Sequence, residues 1–178
     1  MKLLRRAAGW LGLTLAVAAI VHLATLHALP RFVMSRALAR MGPPNSIHFG
    51  RRPTAASRGV VRPSPDILYA VCPFDLSNGP LLVAARIPHS TYFSISAFDS
   101  ATNNFFVLND RQVPGDSVEF LITDRSAKPP RTPSARAIVR SPTRRGLVLF
   151  RIVIDDERNL PALAAMMHQD RCETASLD

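Results

Sequence analysis

The chain is poor in glycine, with 8 in 178 residues, and poorer still in cysteine, with 2. No stretch offers the glycine-rich loop that cradles phosphates, and neither a G-x-S-x-G elbow nor an H-E-x-x-H pair occurs. Cys72 and Cys172 stand far apart and outside any C-x-x-C pair, which excludes a cysteine-based zinc site by count. No catalytic, metal-ligating or cofactor-binding constellation is therefore expected.

Acidic residues are missing from the first 58 positions, where Lys2, Arg5, Arg6, Arg31, Arg36, Arg40, Arg51, Arg52 and Arg58 stand without a counter-charge. The remainder carries 13 residues of each sign, so the formal net charge of +9 belongs wholly to the N-terminal part. A neutral globular portion argues against nucleic-acid binding, which needs a basic face on the folded domain. Attraction to anionic lipid headgroups is the simplest use for such a charge distribution.

What is abundant is apolar length. Residues 7–29 contain no Asp, Glu, Lys or Arg. At about 1.5 Å per helical residue, a run of this length covers a hydrocarbon core of about 30 Å. A cleavable signal is the rival reading, but its apolar core ordinarily spans only about 7 to 15 residues. Here the run passes the small residues at 16–19 and is expected to end at Pro30. His22 and His27, five positions apart, do not share a helical face, and Trp10 reads as an interfacial anchor. Basic residues flank the run on both sides, so charge alone nearly ties on orientation. A short basic N-terminal tail retained in the cytoplasm places the main domain of this single-pass protein on the outer side, in the periplasm if the membrane is a bacterial inner membrane.

Three segments follow from this reading: 1–30 as cytoplasmic tail and transmembrane anchor, 31–62 as a basic, proline-rich juxtamembrane linker, and 63–178 as a β domain. Residues 31–40 suit a short surface helix, and the prolines and glycines of 42–65 suit an extended linker. Strands are expected at 66–72, 81–86, 91–98, 103–108, 118–123, 135–140 and 146–154, followed by a helix over 159–167 capped by Asn159. Turns at 77–80, 99–102 and 113–116 make hairpin connections, and residues 124–134 form a proline-rich basic loop. The fold class is mainly β: an antiparallel β-sandwich, jelly-roll-like, with one C-terminal α-helix behind an N-terminal transmembrane helix.

Candidate functional residues are few. Asp99, Asn103, Asn104, Asn109 and Asp110 bracket one hairpin and, converging at one end of the sheets, would suit calcium or sugar hydroxyls; capping their own turns is the alternative. Tyr69 and Tyr92, on neighbouring strands, would line a pocket mouth or simply pack. His89 and His168 each stand alone. For Cys72 and Cys172 two readings stay open: a disulfide over a loop of about a hundred residues, worth about 4 to 5 kcal/mol in an oxidising compartment, or two unpaired buried thiols.

The stretches 64–69, 74–80, 92–99 and 102–106, in that order and spacing, resemble a bacterial family of unknown function, DUF1254, from about residue 63 to the C-terminal helix. Ser64 and Ile67 stand where that family is expected to show Asn and Thr, which weakens a polar site there. The resemblance implies a β-sandwich and no established reaction. It also implies that longer members pair this domain with a second one, DUF1214. A short form without it would act with a separate, similarly anchored partner carrying that domain. Three functional classes follow: a non-catalytic interaction module of the cell envelope, a small-ligand- or carbohydrate-binding sandwich using residues 99–110, and one half of a two-component hydrolase.

Overall fold

The computed structural model describes residues 1–54, 56–57, 63–126 and 137–175. Helix α1 (Lys2–Leu38) is continuous through Pro30, so the separate surface helix expected after that proline is the last part of the same element. Proline removes one backbone donor, but a long helix carries the defect across neighbouring turns. Most of α1 is bare of protein contacts. Met34 and Ala37, near its end, are the buried positions, and they lie where the helix meets the rim of the β domain.

The expected linker is in part an element of the fold. Strand β1 (His48–Phe49) pairs antiparallel with β2 (Ile67–Asp75), and Asn45 bonds both the amide and the carbonyl of Asp75. Residues 55 and 58–62 of the expected linker, 127–134 of the expected loop and 135–136 of the strand expected at 135–140 lie outside the described residues. The other strands are β3 (Leu81–Arg86), β4 (Phe93–Asp99), β5 (Asn104–Asn109), β6 (Ser117–Asp124), β7 (Ala137–Ser141), β8 (Arg145–Val153) and β9 (Arg171–Thr174). Helix α2 (Leu160–Met167) lies between the last two.

Two sheets result, a five-stranded one in the order β1-β2-β8-β4-β5 and a four-stranded one in the order β7-β6-β3-β9. The β4–β5 pair is a hairpin across the expected turn at 99–102. The other two expected hairpins are instead crossings between sheets, because β2 and β3, like β5 and β6, belong to different sheets. Gly79, at φ +136°, makes the first of these crossings, a conformation that a Cβ would strain. One pairing is parallel, β6 with β7, so the four-stranded sheet is mixed.

The core lies between the sheets. Strand alternation sends Phe93, Ile95 and Ala97 inward from β4 to meet Val148, Phe150 and Ile152 of β8 and Phe120 and Ile122 of β6. Gly146 of β8 packs so closely on the Phe98 carbonyl and the Phe74 ring that a Cβ has no room there. Helix α2 adds Leu163 and Met167 to the core. Asn159 precedes α2 but its side chain caps nothing; the cap belongs to Asp156, whose carboxylate accepts from the Arg158 amide of the preceding 3-10 turn. A disulfide joins Cys72 of β2 to Cys172 of β9, tying one sheet to the other within the core.

Candidate functional site

The polar residues of the β4–β5 hairpin do not converge. Asp99, Asn103 and Asn104 lie at one end of the pair and Asn109 and Asp110 at the other, separated by the length of β5. Asp99 is buried and its oxygens are spent: Oδ1 accepts from the amides of Ala101 and Asn103, and Oδ2 from Asn103 Nδ2. Asn109 caps the following 3-10 turn in a reciprocal box with Gln112. Asp110 accepts from the Phe93 amide. Asp99 and Asn109 thus organise turns through nearby backbone, the more ordinary use of Asp and Asn at such places, while Asp110 ties its turn to the start of β4. Among the described residues, no group of three or more His, Cys, Asp or Glu side chains is placed to hold a metal ion.

The register gathers a different set. On the outer face of the five-stranded sheet, Tyr69, Arg151, Ser94 and Asn109 stand opposite one another across β2, β8, β4 and β5. The next row on that face is Val71, Leu149, Ser96 and Val107. Tyr92, immediately before β4, shares this face by alternation and is exposed. Tyr69 and Tyr92 therefore share a face, though β8 runs between their strands. The Tyr69 hydroxyl accepts from the Ser64 amide.

Arg151 is the unusual member. Its side chain lies over the central strands, with Nη2 donating to Ser96 Oγ at 3.0 Å. Its Nε is buried without an acceptor, and Ser94 Oγ beside it is buried without a partner. Among the described residues no carboxylate lies within ion-pair reach of this guanidinium, whereas Arg52, Arg144, Arg145, Arg158 and Arg171 each have one. Desolvating a cation and leaving a donor unspent is costly, so the arrangement calls for an acceptor. Periodicity alone identified the strand carrying Arg151 but not the residue. The available signal was one charge inside the apolar run 147–154.

Two other places draw attention. Asp170, between α2 and β9, is buried; Oδ1 accepts from the Arg86 amide while Oδ2 has no partner. Burial pushes its carboxyl up to about 7 against the opposing effect of that amide. At the other end of the domain, a cleft of about 420 Å³ opens between the end of α1 and the rim of the sandwich. There Asp75 is held below the ordinary carboxylate range by hydrogen bonds from Ser77 and by Arg145, whose Nε donates at 2.7 Å.

Among curated proteins none matches this chain. Among solved structures, it is similar to the VPA0106 protein from Vibrio parahaemolyticus, with 15% identity and a TM-score of 0.66 over 85% of this chain and 35% of that one. It is also similar to an uncharacterized protein from Burkholderia cenocepacia, with 16% identity and a TM-score of 0.49 over 89% of this chain and 42% of that one. The chain thus spans less than half the length of either relative, and the first likeness shows a shared fold. A family model described as "Protein of unknown function (DUF1254)" matches residues 44–174, so the match takes in β1 as well as the strands from residue 63 onward. The chain belongs to the DUF1254 family.

Proposed function

We propose that this is a single-pass protein of the bacterial inner membrane, held by α1, whose periplasmic β domain is a non-catalytic module that docks a partner protein. The observation that carries the reading is the outer face of the five-stranded sheet. It offers Arg151 without a carboxylate, ringed by Tyr69, Tyr92, Val107 and Leu149, and aromatic residues with arginine are what protein interfaces concentrate. A carboxylate presented by the partner pairs with the half-buried guanidinium from the solvent side.

The membrane half of the reading is supported by α1 itself, whose apolar side chains from Leu3 to Leu29 are exposed. Three of its polar side chains bond their own backbone one turn back: Thr14 to the Trp10 carbonyl, Thr25 to Val21 and His27 to Leu23. That lowers the cost of placing them in hydrocarbon. The disulfide supports an oxidising compartment. As partner, the reading favours a separately anchored protein carrying the DUF1214 domain.

The test is affinity purification of the full-length protein from solubilised membranes of its host, with mass spectrometry of what accompanies it. A stoichiometric companion is expected. Arg151→Ala and, on the exposed surface, Val107→Glu should each weaken its retention by roughly tenfold or more. Recovery of the protein alone, or a companion indifferent to both substitutions, would sink the proposal.

A further inference from the structure

The cleft at the end of α1 lies away from the Arg151 face and has chemistry of its own. Its volume of about 420 Å³ falls in the ordinary range for small-molecule sites, about 300 to 1,000 Å³. Met34 and Leu38 of α1 form one apolar wall, and Pro73 and Phe74 at the end of β2 form the other. Two cations flank it, Arg31 and Arg145. Asp75 offsets the charge of Arg145, whose Nε it accepts from, so Arg31 is the uncompensated cation of the cleft and Arg145 offers only the nitrogens that Asp75 leaves free. Arg31 spends one nitrogen on the His27 carbonyl at 2.7 Å, and both arginines remain exposed.

Position narrows the ligand. From Leu29, the last residue of the uncharged run, Met34 is five residues further on, or about 7.5 Å along the helix. The headgroup layer beyond the hydrocarbon is about 5 to 7 Å thick on each side. The cleft therefore begins at the outer edge of the headgroup layer, on the side of the bilayer where residues 30–58 carry six basic residues and no acidic one.

We propose that the cleft holds one anionic phospholipid of the surrounding bilayer, its phosphate at Arg31 and Arg145 and one acyl chain between Met34, Leu38 and Phe74. The chain exchanges one apolar surrounding for another, and the cations select the headgroup charge. This inference rests on the membrane reading of α1 and is independent of the docking face.

The experiment uses full-length protein in nanodiscs of equal phosphatidylglycerol and phosphatidylcholine, released and weighed by native mass spectrometry. One retained phosphatidylglycerol per chain is expected. Arg31→Gln, an exposed change, should reduce the preference for that lipid about fivefold. Ala39→Trp, at an exposed position lining the cleft, should abolish retention with the thermal melt unchanged. Alkaline extraction of the host membranes tests the anchor separately. Protein that stays in the pellet but retains no lipid, or retains both lipids equally, overturns the cleft proposal and leaves the anchor standing. Protein released to the supernatant overturns both. Displacement of the retained lipid by inorganic phosphate would show a phosphate site without an acyl chain and would equally overturn it.

Discussion

At the scale of single residues, the acidic side chains divide by where their oxygens go. Asp99 satisfies both oxygens within one turn, whereas Asp170 has one oxygen bonded to the Arg86 amide and the other buried without a partner. The folded protein holds a proton on Asp170 up to about pH 7, while the unfolded chain releases it near the ordinary carboxylate value. Between those limits the folded state binds more protons, so this group's contribution to stability is full in acid and is lost as the pH rises through about 7. Asp170→Asn keeps an acceptor for the Arg86 amide and removes the charge. We expect it to raise stability by roughly 1 to 3 kcal/mol at pH 8 and to change it little at pH 4, as read from denaturant midpoints at the two pH values. A variant equally stabilised at both would remove Asp170 as the cause. In the sequence these acids looked alike. Asp99 was legible as a turn residue because its partners are two and four positions away, but Asp170 bonds Arg86 across the fold. Arg151 was hidden for the same reason: its neighbours come from other strands.

At the scale of elements, the seven long strands were legible because each is an apolar run bounded by turn residues. The two missed strands are short or polar. β1 has two residues, and β9, Arg-Cys-Glu-Thr, buries only Cys172. An edge strand needs little apolar content of its own when a neighbour supplies the ladder, so periodicity does not find it. The same limit hid the sheet partition, since a crossing such as that from β5 to β6 uses the turn residues of a hairpin. β9 nevertheless carries one end of the disulfide that spans 100 positions and bridges the two sheets. Loop closure on this scale is worth about 4.7 kcal/mol in the chain-entropy account, and measured losses run about 2 to 5 kcal/mol. Replacing both cysteines with serine should lower the unfolding free energy of the purified protein, read from the denaturant midpoint and slope, by an amount in that range. An unchanged midpoint would mean that β9 is held by its ladder and by α2 alone.

At the scale of the whole molecule, a long apolar helix and a neutral sandwich were both evident from the distribution of charge. Their junction was not, because Pro30 and the prolines after Gly42 read as breaks. On the proposed orientation, a C-terminal fusion to a phosphatase that folds only outside the cytoplasm should be active in cells, and one to a reporter that needs the cytoplasm should be dark; the reverse pattern would invert the topology. The unbroken passage of α1 through Pro30 into its contacts at Met34 and Ala37 then has a further consequence. A domain on a leash searches a volume and presents every side in turn. On the proposed membrane reading this one stands on a stalk, and its height above the lipid and its heading would be set by α1 itself. Encounters would then be nearly two-dimensional, and only a companion whose own binding surface stands at a matching height would meet the Arg151 face. Inserting a few flexible residues after Leu38 would leave every contact of that face in place and still weaken assembly, because alignment itself would have been lost.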